Sequence, residues 1–231
     1  MKATASVLTV VILAFSAAAM AADPKDELNG AIKKLAGQSG YAWTTTPKTE
    51  GSESARRQGP LEGKTEKDGY TLVKGTAGEN SYEVAFKGEK IVVNYNGDWL
   101  SSAEIGEGSR IVERLRTLKR PAEEAEQLAK KSGELKPEPD GLYSGDMTPE
   151  FAKELFALLG RRAAESTDAK GSVKFWLKDG QLAKYEFAVR GSITAGEDKK
   201  KVDISRTMTV EIKNVGSTKV ALPEDARKKL S

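Results

Sequence analysis

The sequence contains no cysteine and no histidine. Without histidine no Ser-His-Asp or Cys-His nucleophile can be assembled, because the base that takes the hydroxyl or thiol proton is missing. Without cysteine there is no thiol chemistry, no iron–sulfur cluster and no thiolate zinc site. Zinc sites in general lose their usual ligands. Calcium or magnesium held by carboxylates stays open, but the chain carries no D-x-[DN]-x-[DN]-G loop. Asp140 and Asp146, in the run DGLYSGD, are separated by too many non-ligands and read as a polar turn. The sequence therefore calls for no metal and no cofactor. An excess of one charge is missing too: 37 Lys+Arg stand against 34 Asp+Glu, a net +3. That balance excludes the clustered basic surplus of a dedicated nucleic-acid binder.

Long apolar runs are scarce. The exception is Val7 to Phe15 (VLTVVILAF), preceded by the positive Met1-Lys2 and followed by the small-x-small pattern Ala19-Met20-Ala21. This is the layout of a cleavable export signal over residues 1–21, with cleavage after Ala21 or Ala22. Its apolar core is too short for a spanning helix, which needs roughly 20 residues. No cysteine follows, so the lipid-anchored form of the signal is excluded. The expectation is a soluble periplasmic or secreted protein with no transmembrane segment after cleavage. At 231 residues the chain suits one large domain or two small ones, at roughly 100–200 residues per domain. A chain of this size buries roughly 70% of its unfolded surface, enough to hold a core without disulfides.

Periodicity organises the rest. Asp23-Pro24 opens a helix whose apolar stripe is Leu28, Ala31, Ile32 and Leu35, ended by Gly37 and Gly40. Thr44 to Gly63 is polar, interrupted by Pro47, Gly51, Gly59 and Pro60, and reads as a mobile loop with Arg56-Arg57 at its tip. Between Tyr70 and Tyr95 the period becomes two: Tyr82, Val84 and Phe86 alternate, then Ile91, Val93 and Tyr95 after the turn Lys87-Gly88-Glu89-Lys90. Trp99 closes that run. Ser109 to Ser132 is helical, with Ile111, Leu115, Leu118, Ala122, Ala125 and Ala129 on one face, and Pro121 either kinks the helix or starts a second. Lys136 to Gly141 is the best linker candidate. Thr148-Pro149-Glu150 starts another helix, with Phe151, Leu155, Leu158 and Leu159 as its buried face.

After Lys170 the period is two again. Val173, Phe175 and Leu177 precede the turn Lys178-Asp179-Gly180, and Tyr185, Phe187 and Val189 return from it. Val202 and Ile204 follow, then Met208, Val210 and Ile212, and finally Val220 and Leu222 before Pro223. Lys-Asp-Gly turns recur at 67–69 and 178–180, as two hairpins or a faint duplication. Helices grouped between runs of antiparallel strands predict an α+β protein. The expected architecture is a curved antiparallel sheet, an open half-barrel with helices on one face. We expect residues 22–231 to form a single domain of two helix-plus-strands halves, roughly 22–108 and 109–231.

The segments GSVKFWLKDGQLAKYEFAVRGSI and TMTVEIKNVGSTKVALPEDA resemble the closing part of the lipoprotein-carrier superfamily, the LolA, LolB and LppX-like proteins. In that family a D-G turn is followed by long meander strands and a valine-rich stretch ending in proline. The opening helix, the K-G-x-K strand junction and the central helices are compatible with it over most of the mature chain. The Trp43-Thr44 and SVKFW-x-KDG segments are more closely similar to a family of secreted bacterial proteins, a similarity that implies no activity. The carrier resemblance implies an open half-barrel covered by helices, with an apolar cavity for acyl chains. It carries over no ligand residue, and its anchored members have a cysteine that this chain lacks.

Three functions follow. The first is a non-enzymatic binder or carrier of a lipid, a lipoprotein acyl chain or another apolar ligand, held between the sheet and the helices. Trp43, Trp99, Trp176, Phe156 and Met208 are its candidate lining residues. Trp176 stands out, because alternation puts it opposite Val173, Phe175 and Leu177, where it either packs under a helix or meets a ligand. The second is an envelope interaction module, using the basic face Arg110, Arg114, Arg116, Lys119 and Arg120, although Glu113, Glu123, Glu124 and Glu126 interrupt it. The third is a carboxylate enzyme such as a glycosidase, which would need two acids in a shared cleft. Nothing in the sequence fixes an oligomeric state.

Overall fold

The computed structural model describes residues 24–51, 58–67, 69–77, 80–159, 166, 168–195 and 200–231. The signal-like segment 1–21, the Arg56-Arg57 pair and Asp68 of the first Lys-Asp-Gly turn lie outside them. The strands are β1 (Gly40–Glu50), β2 (Gln58–Glu66), β3 (Thr71–Ala77), β4 (Asn80–Lys87), β5 (Lys90–Tyr95), β6 (Asp98–Ser101), β7 (Lys136–Glu138), β8 (Leu142–Asp146), β9 (Lys170–Lys178), β10 (Gln181–Ala195) and β11 (Lys200–Lys213). They form one open antiparallel sheet ordered β6-β5-β4-β3-β2-β1-β11-β10-β9-β8-β7. Two meanders are thus joined along a seam between β1 and β11, where Trp43 stands opposite Ile212 and Thr45 opposite Val210. This is the α+β half-barrel expected from the sequence.

Local chemistry explains the hairpins. Asp179 (φ 52°) and Gly180 (φ 66°) both lie in the left-handed region that a two-residue turn between twisted strands requires. Asn96 and Gly97 do the same between β5 and β6. The expected loop over Thr44 to Gly63 is corrected: most of it is β1 and β2. Threonine rather than aliphatic residues carries its alternation, and the ladders to β2 and β11 satisfy its backbone. The linker expected at Lys136 to Gly141 is β7 plus a short 3₁₀ turn. All three β7 residues are exposed, and their brevity, proline and charges keep this sheet edge from recruiting other strands.

The helices are α1 (Pro24–Ala36), α2 (Ser102–Ile105), α3 (Arg110–Arg116), α4 (Pro121–Lys130), α5 (Pro149–Ala157) and α6 (Glu224–Leu230). Pro121 starts a second helix rather than kinking one. α1 buries the stripe read from its sequence, Leu28, Ala31, Ile32 and Leu35. α5 is rotated from expectation: Phe151, Ala152 and Phe156 are buried, while Leu158 is 68% exposed at the end of the helix. Its cap is as expected, with the Thr148 hydroxyl accepting from the Phe151 N–H at 3.4 Å. Thr148→Ala is expected to cost about 1 kcal/mol, read as a lower denaturant midpoint at unchanged slope.

α1, α4 and α5 cover one face of the sheet, here the front, over a core that includes Trp43, Tyr143, Val173, Phe175, Tyr185 and Val210. Tyrosine hydroxyls fasten this layer. Tyr143 donates to Glu27 of α1 and Tyr185 to Glu124 of α4, each at 2.6 Å, while Tyr41 accepts from the Ala122 N–H. The back face has its own small core of Leu72, Ala85, Val92 and Trp99, packed with Val220, Leu222, Ala226 and Leu230. It is covered by α6, where the sequence pattern ends the chain in strands. Lys229 of α6 pairs with Glu104 at 2.6 Å, and Glu104 also completes the capping box of α2. Lys229 and Ser101 hold the Glu104 carboxyl down at about 2.

Candidate functional site: a cavity at the hairpin tip

A cavity of about 1380 Å³ opens at the tip of the β4–β5 hairpin. Small-molecule sites usually occupy roughly 300–1,000 Å³, so there is room for a chain-like ligand. Phe86 and Ile91 are cross-strand partners on the front face of the hairpin and supply one apolar wall. Leu115 of α3 and Leu118, just beyond it, supply another, and Leu230 of α6 adds a third side. Alternation points Phe86 and Ile91 to one face of the sheet, and the short helix ending at Arg116 carries Leu115 to the cavity.

The rim is charged, and its two arginines are paired with carboxylates. Arg116 bonds Glu107 and, at 3.2 Å, Glu113, and Glu107 also accepts from the Ser102 hydroxyl at 2.8 Å. The Ser102 bond comes first in holding the Glu107 carboxyl below its ordinary value, with Arg116 adding to it. Glu123 accepts from Arg120 three times: from Nε at 2.8 Å, from a terminal guanidinium N–H, and from the main-chain N–H at 3.1 Å. Burial pushes the Glu123 carboxyl up, but these bonds outweigh it and leave it lowered. Lys90 donates to the Ser231 main-chain oxygen. Lys87 stands over the Tyr70 ring, 5.2 Å from its centroid.

The five residues singled out in the sequence do not converge here. Trp43 is buried in the front core, over Gly63, where an added Cβ would collide with its indole ring. Its neighbour Tyr41 lies 5.9 Å away, centroid to centroid. Phe156 is fully buried against Gly191. Met208 is half-buried on the same face, opposite Phe187 and Pro47, and its sulfur accepts from Arg206 Nε at 3.3 Å. Trp99 lies on the back face in the α6 core. Trp176 is also on the back, half-buried, with Lys184 Nζ 4.2 Å above its ring centroid. Trp43, Phe156 and Met208 therefore lie on the front side, with α1, α4 and α5, and the other two tryptophans lie on the back. Sequence reasoning missed the cavity, although Phe86, Ile91, Leu115 and Leu118 were each read as apolar positions of their elements.

The basic face of the helical region is largely neutralised among the described residues: Arg116 and Arg120 are in ion pairs and Lys119 donates to Gln127. The described residues contain no group of three or more acidic side chains placed to hold a metal ion. None of their helices is long and apolar enough to cross a membrane.

Among solved structures, the chain is similar to LprF from Mycobacterium bovis, at 10% identity and a TM-score of 0.50 over 88% of this chain and 97% of that one. It is also similar to the lipoprotein LppX from Mycobacterium tuberculosis, at 14% identity and 0.48 over 85% and 97%. A LolA-superfamily protein from Nitrosomonas europaea gives 11% and 0.35 over 87% and 96%. At such identities the likeness to LprF shows a shared fold, the half-barrel that the sequence resemblance implied. No protein-family model matches the chain, and no curated protein matches it.

Proposed function

We propose that the protein is an exported, non-enzymatic binder or carrier of a lipid or similar apolar ligand, taken up in the cavity at the β4–β5 tip. The observation that carries this reading is the gathering of apolar side chains from separate segments, Phe86, Ile91, Leu115, Leu118 and Leu230, around a space of about 1380 Å³. Sites for such ligands are usually mostly apolar with a few polar groups; here five apolar side chains share the lining with ten polar or charged residues, which suits an amphiphile. The likeness to the LprF fold supports it, as does the acyl-chain cavity implied by the sequence resemblance. The ligand sits beside the helix–sheet core rather than within it, since Trp43 and Phe156 fill that core.

Native mass spectrometry with lipid extraction, on protein purified from the cells that make it, tests the proposal. Co-purifying acyl lipid is the expected result. Leu118→Glu puts a charge into the apolar wall and should reduce loading by about tenfold or more. A lipid-free mass for the wild-type protein would overturn the proposal and favour an envelope interaction module.

A further inference from the structure

We infer that this cavity takes amphiphiles with an anionic headgroup, a phosphate or a carboxylate, held at the tip of the β4–β5 hairpin. The inference rests on the lipid-binding reading and adds the class of headgroup and its place. Two successive cross-strand pairs of the hairpin line the cavity: Phe86 with Ile91, then Lys87 with Lys90 at the tip. The hairpin thus turns from apolar to basic within one residue, the order of an acyl chain and its headgroup. Like charges directly opposite each other destabilise a strand pair, and an anion beside both relieves that repulsion. A third cation stands close by. Arg227 of α6 lies 6.0 Å from the centroid of the Tyr70 ring, and Lys87 lies 5.2 Å from the same centroid. Among the described residues, no carboxylate forms an ion pair with any of the three. Lys87 has the Tyr70 ring, Lys90 the Ser231 main-chain oxygen, and Arg227 the Leu222 carbonyl oxygen at 3.0 Å.

The acids of the rim do not cancel this cluster. Glu107 and Glu123 are committed to Arg116 and Arg120 on the helical side of the cavity. On the neighbouring helices, Glu104 is paired with Lys229 and Glu224 with Lys228. Glu89 stands in the hairpin turn between the two lysines, so Lys87, Glu89 and Lys90 together leave the tip with a single net positive charge. An anionic headgroup entering here meets cations that no carboxylate has to release first. A zwitterion offers the same phosphate but brings its ammonium up to the same lysines. A chain lying on Phe86 and Ile91 leaves the fixed pairs across the cavity intact. Lys87, Lys90 and Arg227 are all exposed, so solvent screens the attraction and the selection is modest. About fivefold is the size expected of one exposed ion pair.

The test is lipid exchange from vesicles of equal parts phosphatidylglycerol and phosphatidylethanolamine, with identical acyl chains. Both lipids share one vesicle, so attraction of the protein to the membrane surface raises both alike and their ratio reports the cavity. Bound lipid is identified by native mass spectrometry, on the wild-type protein and on the double variant Lys87→Gln, Lys90→Gln. Both positions are exposed and the change removes a like-charge pair, so the variant should fold. The inference expects phosphatidylglycerol enriched about fivefold in the wild type. The ratio should fall to parity or reverse in the double variant, whose hairpin tip keeps only Glu89. Equal uptake by the wild type, or a preference for phosphatidylethanolamine, would overturn the inference and leave lipid binding intact. An enrichment that the double variant retains would also overturn it, because the selection would then lie elsewhere. Inorganic phosphate alone makes no apolar contact and should bind at least about tenfold more weakly than the lipid. Phosphate held as tightly as the lipid would assign the cluster to a free anion and overturn the headgroup reading. Uptake of neither lipid would overturn both this inference and the function it rests on.

Discussion

Replacing Phe156 with alanine is expected to lower the unfolding free energy by about 3–5 kcal/mol and to leave lipid loading unchanged. The ring is fully buried in the front core and lies over Gly191, about 2.9 Å from where a Cβ of that residue would stand. Glycine offers no side chain to fill the hole from below, and the strand cannot collapse into it without breaking its ladders to β9 and β11. For a chain of this size each kcal/mol corresponds to roughly 2–4 °C, so the melting temperature should fall by roughly 6–20 °C. The opposite pattern, a small stability loss with a large loss of bound lipid, would make Phe156 a ligand contact and would move the binding site under the helices.

Removing the Tyr185 hydroxyl should also destabilise the fold, by less and in a pH-dependent way. Tyr185 is fully buried and donates to Glu124, whose carboxyl is turned into the interface between α4 and the sheet. Burial raises that carboxyl above its ordinary value, and the Tyr185 bond and the Lys119 charge offset only part of the effect. The facing hydroxyl is itself raised, by burial first and then by Glu124. Between the ordinary value of 4.5 and its raised folded value, Glu124 holds more proton in the folded chain than in the unfolded one. Its contribution to stability is therefore greatest below the ordinary value and declines as pH rises through the folded one. Glu124→Gln should remove that decline. Tyr185→Phe should steepen it, because the bond it loses favours the charged form, and should cost about 1–3 kcal/mol at neutral pH. Urea midpoints of the three proteins from acid to neutral pH check this, and parallel curves would rule out the coupling.

Elements whose pattern was carried by aliphatic and aromatic side chains could be read directly. The α1 stripe, the β4–β5 and β9–β10 hairpins and the Thr148 cap are of this kind, because burial and backbone chemistry there follow from neighbours in sequence. β1 and β2 were hidden because threonine and glycine occupy the alternating positions, and β2 needs Gly63 to admit the Trp43 ring. α6 was hidden because Ala226 and Leu230 are its only buried residues, too few to show a period. The candidate site was less legible than the fold. Alternation assigned Trp176 correctly to the face away from Phe175, but nothing local reveals that Lys184 lies over it. Nor can periodicity show that Phe86, Leu115 and Leu230, from three separate segments, border one cavity. The Tyr185–Glu124 bond joins residues 61 positions apart and has no signature at either end.

The seam between β1 and β11 bears on how the chain reaches this structure. Thr44 and Lys213 meet across it from 169 positions apart, whereas the other ladders within each meander join strands that follow one another in sequence. Each meander can therefore zip up by itself, hairpin by hairpin, while the join must wait for nearly the whole polypeptide to be available. The entropy of closing that loop sets the pace of refolding. In the interval β1 presents eleven residues of unpaired edge, open to the β11 of another molecule as readily as to its own. Crowded refolding should thus divert molecules into strand-exchanged dimers, and dilution should restore the monomeric route.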